Sequence, residues 1–166
     1  IKRTDDDTCL AMYTMLMDTL SANGYEHYEI SNFCLPGYRA IHNSSYWNDT
    51  PYLGFVDAAH SYNLLTRSWN VADIKEYVSA IGSGNLPSES ERIDDDTHYD
   101  DIITTAMRTC EGVDLMRLKP EYRNYALRSA KNDIDGGLLE LADNHLRLTR
   151  KGLFVSDMVM SNLMKV

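Results

Sequence analysis

No apolar run in the 166 residues approaches the roughly eighteen needed for a membrane-spanning helix. No charged-then-apolar leader opens the chain, so a secretory signal is not indicated. Cysteine is sparse: Cys9, Cys34 and Cys110 are an odd, scattered set that matches neither a disulfide framework nor a zinc pattern. Free thiols suit a reducing compartment, so a cytoplasmic protein is expected. A Gly-rich phosphate loop is missing, because Gly82-Ser83-Gly84 runs into Asn85-Leu86-Pro87 rather than a Lys at a helix start. No Ser/His/Asp order stands out, and there is no repeat or low-complexity segment. Positive charge is also short, with 16 Lys+Arg against 25 Asp+Glu and a net charge of -9. A field of that sign does not draw the whole chain to nucleic acid or an anionic membrane.

What is present is ordinary globular composition, 43% apolar and 25% charged, enough for one domain or two small ones. Thr4 as N-cap, an acidic first turn at Asp5, Asp6 and Asp7, and a stop at Gly24 predict a first helix. Cys9, Met12, Tyr13, Leu16, Met17 and Leu20 share one face of it. Tyr25 to Ile30 reads as a strand, a long polar loop follows, and Tyr52 to His60 reads as a second, mostly buried strand. Helix, strand, loop and strand make the rhythm of an α/β sheet or barrel edge. Leu64 to Trp69 reads as a small hairpin or arm, and Asp73 to Ile81 as a helix closed by Gly82-Ser83-Gly84. That glycine pair and Pro87 mark a boundary region.

Asp94, Asp95 and Asp96 open a helix with Tyr99, Ile102, Ile103, Ala106 and Met107 on its apolar face. Pro120 starts another, broken at Gly136-Gly137. A hairpin around Asp143-Asn144 and a last helix over 152–164, with Val155, Met158, Val159 and Leu163 inward, complete the reading. Helix, helix, hairpin, helix is a winged-helix-like layout. Residues 115–151 hold 8 Lys+Arg against 5 Asp+Glu, among them Lys119, Arg123, Arg128, Lys131, Arg147, Arg150 and Lys151. Glu121, Asp133, Asp135 and Glu140 interrupt that patch, so no nucleic-acid partner is expected.

The loop between the first two strands carries most of the chemistry. It sets Arg39 and His42 among Tyr38, Tyr46 and Trp47, a set that suits a flat, anionic, aromatic ligand. Rings stack on its face, Arg39 pairs a carboxylate, and the His42 imidazole is a metal ligand. His27, His98 and His145 stand isolated in the sequence, with His98 expected on an exposed helix face. Asp57 within an apolar strand reads either as a buried group near a cofactor or as the strand's end.

These segments fall in the order of one family. Tyr28-Glu29-Ile30-Ser31-Asn32-Phe33, Pro36-Gly37-Tyr38-Arg39, His42-Asn43-Ser44-Ser45-Tyr46-Trp47, Tyr52-Leu53-Gly54-Phe55 and Ala59-His60-Ser61-Tyr62 follow one another. Arg108-Thr109-Cys110-Glu111-Gly112-Val113-Asp114 and Leu148-Thr149-Arg150-Lys151-Gly152 come later. The chain resembles the oxygen-independent coproporphyrinogen III oxidase-like radical S-adenosylmethionine proteins of porphyrin biosynthesis, especially their heme-chaperone branch. The resemblance implies a mixed α/β, helix-rich fold: the end of a (β/α) radical barrel over 1–70, then a helical, winged-helix-like domain with a small hairpin over 71–166.

It also implies heme as a ligand of this chain, with S-adenosylmethionine and a 4Fe-4S cluster in the parent oxidoreductase. The family's His-Asn-x-x-Tyr-Trp segment maps onto His42, Asn43, Tyr46 and Trp47, making His42 the expected axial ligand, and Arg39, Ala59 and His60 complete the expected cofactor set. No C-x-x-x-C-x-x-C motif occurs, and the chain starts at Ile1. It is therefore expected to be a C-terminal part that generates no radical by itself, its cluster lying upstream. Val56 and Asp57 stand where the family has small residues. Three functions stay open: a heme-binding part of a chaperone that passes heme to an acceptor protein, the same part of a true coproporphyrinogen oxidase, and a winged-helix interaction module.

Overall fold

The structure is a computed structural model describing residues 4–165. Its first helix, α1 (Asp6–Ala22), is capped by Asp5, whose carboxylate accepts from the Thr8 backbone N–H; Thr4 is not the cap. Gly24 ends the helix at φ +80°. Of the apolar face read from the sequence only Met17 is buried, while Cys9, Met12 and Leu16 are exposed and Tyr13 and Leu20 half-buried.

Strand β1 (Glu26–Glu29) pairs antiparallel with β2 (Asn32–Cys34), a partner that the sequence reading left inside the long loop. The same loop holds helix α2 (Ile41–Trp47). The strand expected over Tyr52–His60 does not form. Only Tyr52 bridges Tyr62, and the ladder begins at β3 (His60–Tyr62), paired with β4 (Thr66–Asn70). Between them Val56 and Ala58 adopt left-handed backbone at φ 82° and 55°, which no strand tolerates, and Leu53, Phe55 and Val56 are exposed. Buried Asn70 holds this segment instead, its amide donating to the Val56 carbonyl at 2.7 Å.

Helix α3 (Ile74–Gly82) forms where the sequence reading put one, with Asp73 as its N-cap and Gly82 as its last residue. The stretch after Pro87 is not a plain linker: β5 (Ser88–Arg92) pairs along the whole of β4, so this sheet draws strands from both sides of position 70. Every residue of β5 is exposed, and Ser-Glu-Ser-Glu-Arg offers no apolar alternation to reveal a strand.

The main core lies in residues 99–163. Helix α4 (Asp95–Ala106) buries Tyr99 and Ile103 and leads to buried Met107. The short strand β6 (Val113–Asp114), helices α5 (Pro120–Ser129) and α6 (Lys131–Asp135), strands β7 (Leu139–Ala142) and β8 (His145–Leu148), and helices α7 (Arg150–Leu153) and α8 (Ser156–Leu163) close around it. The sheet order is β6-β8-β7, all antiparallel. Asp143 and Asn144, both at positive φ, make the tight hairpin turn. The single last helix read over 152–164 is two: the backbone breaks at Val155, which is exposed with Met158, while Val159, Met160 and Leu163 face the core. Tyr99 Oη donates to the Leu163 carbonyl at 2.8 Å and fixes the end of α8.

The α4 cap gives a first test. Asp94 accepts from the Thr97 N–H at 2.8 Å. Asp94→Ala is expected to cost about 1 kcal/mol, seen as a lower urea midpoint at unchanged slope. An unshifted midpoint would mean that core packing alone sets where α4 begins.

Candidate functional site

Helix α2 is a two-sided element. At 100° per residue, His42 and Tyr46 share one side, and Ser44, Trp47 and Asn48 lie roughly opposite. On the outer side His42 is exposed, its Nε2 3.4 Å from Tyr46 Oη and the two rings edge-on at 5.1 Å. Tyr46 continues to Tyr52 at 5.0 Å, and Tyr52 to Tyr62 at 6.0 Å. Tyr38, ahead of the helix, and Ile41, its first residue, are 78% and 85% exposed. Asn43 is exposed, and Trp47 turns inward, edge-on to buried Tyr28 at 6.2 Å.

The far end of α2 is tied down by Asp49. Its carboxylate accepts from Tyr62 Oη and from His98 Nε2 at 2.9 Å, with Arg117 Nη2 at 4.0 Å. Burial and then the Asp49 carboxylate push the Tyr62 phenol well above its ordinary range. His98 is therefore paired and half-buried rather than isolated on an open face. His27 is engaged as well, with its ring stacked on Phe33 at 4.1 Å and Nε2 3.0 Å from the Ile30 carbonyl. His145 Nδ1 lies 3.0 Å from the Asp143 carbonyl.

Arg39 does not join His42. Its guanidinium meets Glu111 at 2.5 Å and Glu26 at 3.3 Å, and lies 5.5 Å over the Tyr28 ring. The Glu111 hydrogen bond raises the Arg39 pKa further. For Glu111, burial pulls upward, but the hydrogen bonds from Arg39 and Cys110 outweigh it and the carboxyl titrates below its usual range. Ala59 and His60 sit apart from α2. His60 lines an open cavity of about 500 Å³ with Ala58, Trp69, Val71, Glu76 and Glu89. So the structure groups His42 with Tyr46, turns Trp47 and Arg39 to the other side of α2, and puts His60 in a different cavity.

The segments quoted for the family resemblance meet one another in space. Buried Glu29 is held by Arg108, with Nε at 2.8 Å and Nη2 at 2.6 Å, and also accepts from the Ser31 N–H and the Asn32 amide. The backbone of 108–110 runs beside β1, with Ile30 N–H to the Arg108 carbonyl at 3.0 Å and Cys110 N–H to the Tyr28 carbonyl at 3.1 Å. Thr149 caps α7, and Arg150 reaches back to Asp18 on α1 at 2.7 Å. Sequence reading missed Glu29, Arg108 and Asp49 as organisers. A Glu beside buried Tyr28 in an aromatic strand, where only a paired carboxylate is tolerated, is the signal that could have found the first.

No family model matches the chain. Among curated proteins, heme chaperone HemW of Mycobacterium tuberculosis is 31% identical over 161 residues, covering 96% of this chain and 40% of its own length. HemW of Bacillus subtilis is 28% identical over 153 residues, covering 89% and 40%. The chain is homologous to the HemW heme chaperones. It spans about 40% of the length of these two HemW proteins. The HemW protein of Lactococcus lactis matches a shorter stretch, 38% identical over 80 residues. Among solved structures, the coproporphyrinogen III oxidase HemN of Escherichia coli, a radical SAM enzyme, superposes at a TM-score of 0.69 over 93% of this chain and 40% of its own, at 16% identity. That likeness shows the fold, a mixed α/β arrangement shared with HemN. No helix among the described residues is long and apolar enough to cross a membrane.

Proposed function

We propose that the chain is the heme-handling part of a radical S-adenosylmethionine protein of the heme-chaperone type, and that it takes heme on the outer side of α2 through His42. One observation carries this reading: an exposed imidazole set edge-on to Tyr46, whose ring continues to Tyr52, on an open face of α2. A neutral imidazole is an axial iron ligand, and apolar and aromatic surface suits the porphyrin face. Heme here is cargo, and a face open on one side suits its release to an acceptor protein. Tyr46 orients the imidazole, and Asp49 holds the end of α2 against His98 and Tyr62. Asn43 sits beside His42 at the exposed start of the helix, and Trp47 anchors the helix on Tyr28 rather than touching the porphyrin.

The donor set does not fit an iron–sulfur cluster. The three cysteines are free, and no group of three or more His, Cys, Asp or Glu is placed to hold a metal ion among the described residues. The cluster and S-adenosylmethionine of the parent protein are assigned to the length that the HemW relatives carry beyond the match, and His60 in the open cavity, with Ala59 next to it in the chain, would stand toward that cofactor. The order α4, β6, α5, α6, β7, β8 follows a winged-helix layout. Three of its basic residues are taken by carboxylates of this chain, Lys119 by Asp95, Lys131 by Asp135 and Arg150 by Asp18, which favours a scaffold over a nucleic-acid reader. A cytoplasmic setting belongs to the same reading.

The test is a heme titration followed by absorption. Saturable binding with a shifted Soret band is expected, weakened about tenfold or more in His42→Ala at unchanged far-UV circular dichroism. Saturable binding indifferent to His42→Ala would move the ligand elsewhere. Absence of saturable binding in folded protein would favour the oxidase-type parent.

A further inference from the structure

We propose that the cavity on the inner side of α2, between Tyr28, Arg39, Ser44, Trp47, Thr109 and Glu111, binds a zwitterion of the α-amino-acid class. The space is about 320 Å³, at the lower end of ligand cavities. Aromatic rings form part of its wall, since Trp47 stands edge-on to Tyr28. Its charged lining is an ion pair contributed by distant segments, Arg39 before α2 and Glu111 after α4, 72 residues apart, with Ser44, Asn48 and Thr109 as neutral polar neighbours. Both side chains are 39% or more exposed, so the pair is solvent-facing and opens at little cost.

The charge balance selects the ligand. One guanidinium faces two carboxylates, Glu111 and Glu26. A ligand bearing only a carboxylate meets a surplus of negative charge. One bearing only an ammonium must leave Arg39 without Glu111. A zwitterion satisfies both: its carboxylate takes the guanidinium edge, its ammonium takes Glu111, and the net charge of the pocket is unchanged. The Ser44 hydroxyl makes no side-chain hydrogen bond among the described residues and is available to the ligand. A hydrophobic side chain then lies against Trp47. This site faces away from His42, so it stands whether or not α2 carries heme.

Calorimetric titration of the full chain with L-phenylalanine, 3-phenylpropanoate and 2-phenylethylammonium tests the assignment. Saturable binding of L-phenylalanine is expected, with each single-charge analogue about tenfold or more weaker. Glu111→Gln should erase the preference over 3-phenylpropanoate, while Arg39→Lys, which keeps the cation but loses the two-pronged edge, should weaken L-phenylalanine several-fold. Circular dichroism confirms folding of both variants. Equal binding of the three compounds, a preference untouched by Glu111→Gln, or no saturable heat with L-phenylalanine each overturns the proposal.

Discussion

Replacing Arg108 by methionine is expected to lower the unfolding free energy by about 3–5 kcal/mol, a large part of the stability of a domain this size. The reason is the partner left behind. Glu29 is 2% exposed, and its carboxylate rests on the two guanidinium contacts of Arg108 plus the Ser31 N–H and the Asn32 amide. Arg108 follows α4 at the edge of the main core, so the pair locks the β1–β2 hairpin to the helical half. Without it, a buried charge keeps two neutral donors and loses its counterion. Urea unfolding of Arg108→Met, and of the double variant with Glu29→Leu, measures this. The second change should recover much of the loss, because an apolar pair removes the stranded charge. A cost below about 1 kcal/mol for Arg108→Met would show that the hairpin docks without the pair.

Gly152→Ala is expected to cost about 3 kcal/mol, although its backbone is one that alanine adopts. Helix α7 presses on the turn before β7 so closely that a Cβ at 152 would sit 2.0 Å from the Leu138 carbonyl oxygen and 3.1 Å from Leu148 Cδ2. The oxygen is backbone, already accepting from the Thr149 N–H at 2.9 Å, and it cannot swing aside. Gly82→Ala, the control, adds a Cβ with nothing within 4 Å at the end of α3 and is expected to be neutral or slightly stabilising. Thermal unfolding of the two variants separates close approach from helix propensity. Equal midpoints would mean that α7 moves off the hairpin freely.

Arg108 and Gly152 both lie in segments quoted for the family resemblance, and in both places the residue joins parts of the fold. Arg108, Thr149, Arg150 and Gly152 hold elements together, and Arg39 and Glu111 pair across 72 residues. Of the residues expected at the cofactor, only His42 and Tyr46 stay together on an open face, which narrows the heme reading to that side of α2.

The amino-acid sequence determined by itself what depends on near neighbours. The helix starts at Asp73 and Asp94, Pro120 at the start of α5, the stop at Gly24 and the Asp143-Asn144 turn act within four residues of where they stand, and each is found where read, although the N-cap of α1 is Asp5 and not Thr4. The apolar face of α4 followed from helical spacing and is the centre of the core. Tertiary structure decided the rest. Strand β5 exists because β4 offers a ladder, since its own residues are polar and exposed. The segment 53–59 stays out of a ladder and hangs on Asn70. Glu29 found Arg108 across 79 residues, and Asp49 found His98 across 49. Those pairings leave no periodic trace in the chain, because burial and counter-charge choose partners only after distant segments have met.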